Sequence, residues 1–263
     1  MSRSVLLIAW VCCSCCTALC ASEPIRIRVL SYNIHHGEGV DGQLDLNRIA
    51  SVIKNARPDL VALQEVDQNT RRTEVVDQAN ELALMTEMHS VFGSNIDLQG
   101  GHYGNAILSR FPIRQHHNKL LPNVERGEQR GVLIAVVGIP ADSIDLNVRV
   151  FATHFDHRQN DYERRLSAEF INHLVDDQPV PTILMGDFND VIGSESISRL
   201  LKVWKPTVDA PLPTIPVGNP KRQIDFIFGY PSPRWRVIKT RVLEESLASD
   251  HRAILCELEL MPE

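Results

Sequence analysis

Residues 183–189, I-L-M-G-D-F-N, join a short apolar run to Asp187 and Asn189. An apolar run of this length reads as a buried strand. Polar groups at its end are costly to bury alone. The same pattern recurs along the chain. V29-L-S-Y-N33 ends in Asn33, L60-V-A-L-Q-E65 in Gln64 and Glu65, and V150-F-A-T-H154 in His154. I224-D-F-I-F228 carries Asp225, and A248-S-D-H251 places Asp250 and His251 just before a strand. A single polar residue at a strand end is usually a turn or cap residue. Six such ends, rich in Asp, Glu, Asn and His and poor in Lys, are harder to explain that way. Converging at one edge of the sheets, they would form an acidic pocket holding two imidazoles. Uncompensated carboxylates repel one another. A hard divalent cation relieves that repulsion, and Mg²⁺ takes one or two carboxylates and keeps several waters.

The remaining elements follow from periodicity. Strands are expected at 25–32, 60–63, 105–109, 131–139, 146–153, 182–185, 224–228, 237–242 and 253–260. Helices are expected at 45–55, 78–88 and 161–175, the last with Leu166, Phe170, Ile171 and Leu174 on one face. Strands dominate without regular β-α alternation. This pattern suits two packed sheets covered by helices and argues against a barrel of eight β-α units. No repeat, low-complexity tract or long linker divides residues 22–263, so they read as one domain. Pro206–Pro220 contains five prolines and reads as an ordered surface loop near a site.

The chain has 263 residues, 43% hydrophobic and 23% charged, which excludes a disordered polymer and a disulfide miniprotein. Its net charge of -6 argues against holding nucleic acid by bulk attraction. Five of the six cysteines fall within the first 20 residues, leaving Cys256 alone in the body. No disulfide framework is available, and Cys256 reads as a buried thiol. Residues 1–21 have Arg3, a short apolar stretch and a small-residue end at Ala21, the layout of a secretory signal peptide. Export to the periplasm or exterior is therefore expected. Lipidation at Cys20, or a retained N-terminal anchor, is the lesser alternative. No segment of the mature chain approaches the length of a transmembrane helix.

The motifs SYNIHHGEG, ALQEVD, YGNAILSR, ATHFDH, MGDFND, IDFIF and SDHRAI occur in this order over residues 26–260. Each is weak alone. Together they resemble the endonuclease/exonuclease/phosphatase superfamily of metal-dependent phosphohydrolases, which includes DNase I-like nucleases, sphingomyelinases and inositol-polyphosphate phosphatases. The resemblance implies a four-layer α/β sandwich of two mixed sheets flanked by helices. It implies Glu65 as the principal metal ligand, Asn33 beside it on metal or phosphate, and Asp250 as a further metal or water ligand. Many members carry an acidic residue two positions after this asparagine. Here that residue is His35, which puts a second metal site of the usual kind in question. Asp187 would align or deprotonate the attacking water, and Asn189 would orient the phosphoryl group. His251 would stabilise developing charge with Asp225 as its hydrogen-bond partner, and His154 takes the second imidazole position of the DNase I-like branch. Mg²⁺ is the implied cofactor, with Mn²⁺ or Ca²⁺ as substitutes. Phosphoryl transfer suits these residues because it needs positioning and charge stabilisation more than covalent catalysis.

The substrate is less legible. Arg71 and Arg72 follow the Glu65 strand in a loop that should overlook the site, and Arg130 lies in another. Contact of Arg71, Arg72 or Arg130 with a substrate phosphate is weighed equally against solvated loop charge. Asn105 is assigned to substrate but could simply satisfy backbone groups. His157 and Tyr103 stand close to these motifs, whereas His89, His116, His117 and His173 read as surface or core residues. The expected partner is a phosphoester: nucleic acid, a phospholipid headgroup or a small phosphodiester. No long basic stripe with interleaved aromatics supports stable nucleic-acid binding. A monomer is expected. The leading reading is a secreted metal-dependent phosphohydrolase, beside an extracellular DNase I-like endonuclease and, from another class, a catalytically silent binding module.

Overall fold

The computed structural model describes residues 23–141, 145–175 and 180–262. The expected signal peptide and Cys20 lie outside the described residues. The elements are β1 (Ile25–Asn33), α1 (Leu46–Ala56), β2 (Leu60–Gln68), α2 (Gln78–Thr86), β3 (His89–Leu98), β4 (Gly101–Ser109), β5 (Ile113–Leu120), β6 (Gly131–Ile139), β7 (Leu146–His154), α3 (Tyr162–Asn172), β8 (Thr182–Asp187), α4 (Glu195–Leu200), β9 (Lys205–Pro206), β10 (Asp225–Tyr230), β11 (Trp235–Val242) and β12 (Ile254–Leu260). One six-stranded sheet runs β11-β12-β1-β2-β4-β3, and the other runs β5-β6-β7-β8-β10-β9. Each is mixed, with one parallel pair at its centre, β1 with β2 and β7 with β8.

Side-chain alternation along the strands sorts the core into layers. Ile27, Val29, Leu60 and Ala62 of one sheet meet Val150, Ala152, Ile183 and Met185 of the other in the central core. Their neighbours Leu30, Tyr32, Val61 and Leu63 face outward onto Ile49 and Ile53 of α1 and Leu82 of α2. On the opposite side Phe151, Leu184, Phe226 and Phe228 pack on Ala168 and Ile171 of α3 and on Ile197 and Leu200 of α4. The order is helices, sheet, sheet, helices: the four-layer sandwich.

Local chemistry starts and stops the elements. Asp45 caps α1, its carboxylate accepting from the Asn47 and Arg48 amides, and Asp77 caps α2 through Asn80. Both helices end on a left-handed residue, Arg57 and Glu87. Cys256 is a buried free thiol, as expected. Among the described residues no helix is long and apolar enough to cross a membrane.

Three departures have physical causes. β3, β5 and α4 escape periodicity. β3 and β5 lie at sheet edges and bury little, β5 being mostly exposed, so ladder pairing and not apolar alternation makes them strands. α4 is only six residues long. The buried side of α3 carries Glu163, Arg164, Ser167, Ala168 and Ile171, and Leu166, Phe170 and Leu174 are only partly covered. Arg164 turns the helix, because its guanidinium is buried against Asp190 and the Asp156 and Arg158 carbonyls. Strand β2 continues past Leu63 to Gln68 because a bulge between Leu63 and Val66 absorbs Glu65, at φ 58°. Such bulges re-aim a side chain while pairing continues.

Candidate active site

Strand register gathers the polar ends. Asn33 closes β1 opposite Gln64 of β2, one residue before Glu65. His154 closes β7 opposite Asp187 at the end of β8, and Asp187 in turn lies opposite Asp225 at the start of β10. Three of the residues are thus neighbours in one ladder, at the edge where the two parallel pairs end. Gly186 lets β8 approach β7 at this point: a Cβ there would meet the Thr153 carbonyl oxygen at 2.2 Å.

One amide joins the two sheets. Asn33 Nδ2 donates to Glu65 Oε1 at 2.9 Å and to Asp187 Oδ2 at 3.1 Å, while its Oδ1 accepts the His35 amide at 3.0 Å. Asn33 therefore orients two carboxylates.

Asp187 is buried, and its second oxygen accepts the Asn189 amide at 2.8 Å. Burial pushes its carboxyl up to about 7 and Asp225 adds to the rise, opposed by His251, the Asn189 amide and Asn33. His251 Nδ1 lies 3.0 Å from Asp225 Oδ2, and its Nε2 faces Asp187 Oδ2 at 3.6 Å. Burial alone would depress this imidazole, but Asp225 and Asp187, with a smaller part from Asp250, raise it to about 10. It is an imidazolium at neutral pH. Asp225 Oδ2 also accepts the Thr214 hydroxyl, while its Oδ1 is buried without a hydrogen-bond partner. Thr214 and the Val217 amide, which donates to the Asp250 carbonyl, belong to the proline-rich loop, so that loop braces the site.

The second imidazole behaves oppositely. Arg130 Nη1 donates to His154 Nδ1 at 3.0 Å and Nη2 to His157 Nδ1 at 3.1 Å. Since a guanidinium only donates, Nδ1 of His154 accepts. Nε2 lies 3.0 Å from Asn189 Nδ2, itself a donor, and 3.5 Å from Asp187 Oδ2. Burial, then Arg130 and His251, hold His154 well below the usual histidine range, so it stays neutral.

A cavity of about 400 Å³ opens beside these groups, lined by His35, His36, Glu65, Arg72, Tyr103, Glu128, Arg130, His157 and Asp250 together with Ile96 and Leu98. Asn33, Glu65, His154, Asp187, Asn189, Asp225 and His251 are thus brought together, and Asp250 and Arg72 join them at the cavity wall. Arg72 makes a two-pronged bond to the buried Asp67, Nε and Nη2 each at 2.7 Å, over the Tyr103 ring. Burial, and Glu65 nearby, hold the Tyr103 phenol well above its usual value.

Two residues assigned to substrate lie off the cavity wall. Arg71 is exposed and absent from the cavity wall, because its backbone bonds to Gln99 and its side chain lies over Gly100. Asn105 is fully buried between the sheets, Nδ2 donating to the Gly131 carbonyl at 3.0 Å, and does not reach the cavity. Arg130 is also no solvated loop charge: it is 5% exposed and organises two histidines. His36, Asp67 and Glu128 were not legible as site residues. The doubled histidine after Asn33 was the one available signal.

Among the described residues two groups of metal-competent side chains converge: His35, His36 and Glu65, and Asp187, Asp225 and His251. The first opens to the cavity and combines one carboxylate with two imidazoles, a donor set that fits a divalent cation. The second is buried and already holds a cation in His251, so it fits catalysis better than a metal.

A profile of the endonuclease/exonuclease/phosphatase family matches residues 30–251. The chain is 28% identical over 224 residues to YbhP of Escherichia coli K12, covering 79% of this chain and 86% of that protein. An endonuclease/exonuclease/phosphatase from Beutenbergia cavernae superposes with a TM-score of 0.73 at 26% identity, over 90% of this chain and 72% of that one. A mannosyl-6-phosphatase of Bacteroides thetaiotaomicron superposes with a TM-score of 0.71 at 21% identity, over 88% of this chain and 99% of its own. The chain belongs to the endonuclease/exonuclease/phosphatase family, whose members are phosphoester hydrolases.

Proposed function

We propose that the protein is an exported phosphohydrolase that uses a divalent cation and an attacking water to cleave a small phosphoester or phosphodiester. The observation that carries this reading is the Asn33 amide, which holds Glu65 and Asp187 within 2.9 and 3.1 Å of one nitrogen. A metal-binding carboxylate and a base are thereby kept at a fixed separation across two sheets. When bound, the cation would polarise a phosphoryl oxygen and favour the leaving group. Glu65, with His35 and His36 beside it, is the group that would hold it.

The chain's own residues supply the rest. Asp187, lifted toward neutrality by burial, suits acceptance of a proton from water near neutral pH. His251, kept charged by Asp225, donates from Nε2 to a phosphoryl oxygen as negative charge develops. His154, kept neutral, is held in place by the Arg130 bond. Arg72 and Arg130 line the cavity beside Glu65, Glu128 and Asp250, and a space of about 400 Å³ suits a headgroup or sugar phosphate better than a nucleic-acid duplex. The leader at residues 1–21 supports export.

The test is a panel of p-nitrophenyl phosphate, bis-p-nitrophenyl phosphate, hexose 6-phosphates, inositol phosphates, sphingomyelin, RNA and supercoiled DNA, each with divalent metal or EDTA. Glu65→Ala and His251→Ala should each lower kcat/KM by roughly 10²- to 10³-fold, the scale for removing an electrostatic stabiliser. Full activity in both variants would sink the mechanism. A folded protein inert toward the whole panel would favour a binding module. N-terminal sequencing of protein recovered from the exterior or periplasm should begin near Ser22, and recovery only from the cytoplasm would refute export.

A further inference from the structure

We propose that His35, His36 and Glu65 form a site for a borderline transition ion, Zn²⁺, in preference to Mg²⁺ or Ca²⁺. The inference rests on the reading of Glu65 as the metal-binding carboxylate and adds the identity of its partners. A ring nitrogen of each histidine and a Glu65 oxygen all lie within 4.8 Å of one another. Two bonds of 2.0–2.1 Å that meet at a tetrahedral angle span about 3.4 Å, so modest side-chain rotation closes the group around an ion. The rings meet edge-on, centroids 4.6 Å apart at 66°.

The backbone is shaped for this convergence. In a strand adjacent side chains point to opposite faces. Here His35, His36 and Gly37 take φ of 45°, 43° and 81°, and Glu65 takes 58°. Left-handed backbone at successive non-glycine residues is uncommon and persists only where the surroundings enforce it. They do so here. The His35 amide donates to Asn33 Oδ1, the Ile34 amide to the Gln64 carbonyl, and Gln78 Nε2 to the His36 carbonyl at 2.6 Å. These three hydrogen bonds thus fix the backbone from which both rings project beside Glu65.

Hydrogen bonding also selects the lone pairs. His35 Nδ1 lies 3.1 Å from the Glu38 carbonyl, which only accepts, so Nδ1 carries the proton and Nε2 is free to ligate. Donation of the other ring N–H to a carbonyl is the arrangement that orients metal-binding imidazoles. His36 Nε2 faces the Glu38 carboxylate at 3.6 Å, which steadies the second ring. Glu65 Oε1 is held by Asn33, and its other oxygen has no protein donor among the described residues. Two imidazoles and a carboxylate leave positions open toward the cavity, as in catalytic rather than structural sites. Mg²⁺ prefers oxygen ligands and retains water, whereas imidazole suits zinc and its neighbours.

The test measures binding apart from hydrolysis. The full-length mature protein is stripped with EDTA and titrated with Zn²⁺ against a chromophoric chelator, with Mg²⁺ by calorimetry, and with Co²⁺ by visible absorption. The wild type should bind Zn²⁺ at least about 100-fold more tightly than Mg²⁺ and give a Co²⁺ spectrum typical of nitrogen ligation. His35→Asn and His36→Asn should each weaken Zn²⁺ by on the order of 100-fold, at or above the loss seen for a neighbouring partner of a ligand, and should leave Mg²⁺ within about threefold. Glu65→Gln should weaken both ions. Thermal unfolding of each variant checks folding, and His36→Gln provides a milder replacement should the asparagine variant unfold. Equal wild-type affinity for Zn²⁺ and Mg²⁺, or no effect of the histidine variants, would overturn the site. Metal-dependent hydrolysis lost in Glu65→Gln would then still sustain the phosphohydrolase reading. Conversely, intact histidine-dependent Zn²⁺ binding without hydrolysis would sustain the site and sink that reading.

Discussion

At the scale of single residues, the two buried imidazoles share a site in opposite charge states. His251 is raised to about 10 against the carboxylates, and His154 is depressed by burial and Arg130. The raised group makes a signed prediction. Its contribution to stability is fully present below the unfolded value near 6.5 and is lost as pH rises through about 10. Asp187, raised to about 7, likewise contributes fully below about 3.8 and loses that contribution as pH rises from about 3.8 to 7. Between pH 7 and 10 the melting temperature of metal-free protein should therefore fall, and His251→Gln should flatten that fall. An unchanged slope in the variant would show that the charged pair is not formed. Arg130 gives a second prediction. Its donors fix His154 and His157 together, so Arg130→Lys, which keeps charge but loses the planar fork, should lower kcat by roughly 10- to 100-fold. Wild-type kcat in Arg130→Lys would assign the residue to charge alone.

At the scale of elements, the site depends on strands that end in register. Gly186 illustrates the constraint, because any Cβ there would strike the Thr153 carbonyl and separate β7 from β8. Gly186→Ala should cost about 1–3 kcal/mol in denaturant unfolding and reduce activity as well, since Asp187 moves with the strand. Gly218→Ala, which meets nothing within 4 Å, should be neutral by the same measurements. The buried strands that deliver Asn33, Glu65, His154, Asp187 and Asp225 were legible because an apolar run stopping at a polar residue is a local pattern. β5 was not, because its strand character comes from its partner β6 and not from its own side chains. Arg71 and Arg72 looked equivalent in sequence. Their difference arises from Asp67, a buried acceptor that only Arg72 reaches. Asn105 looked like a ligand for a similar reason, since burial between sheets cannot be read from the residue alone. His36 was silent because its direction comes from a left-handed turn, set by bonds to β1, β2 and α2.

At the scale of the whole molecule, the two sheets meet across a core of Ile27, Val29, Leu60, Ala62, Val150, Ala152, Ile183 and Met185. Ile183→Ala should cost about 2–5 kcal/mol, and its effect should appear in global unfolding and in activity at the same denaturant concentration. Activity surviving well past the structural midpoint would contradict a site assembled by sheet packing. The Asn33 bridge carries this further. Asn33 and Glu65 lie in the sheet that opens the chain, whereas His154, Asp187 and Asp225 lie in the other. His251 arrives last, just ahead of β12, which returns to pair with β1. No contiguous stretch of chain therefore contains a working centre, and chemistry requires that distant segments coincide. Under the export and activity proposed above, such a requirement is a safety catch: a chain that crosses the membrane unfolded stays inactive until the last strand has closed.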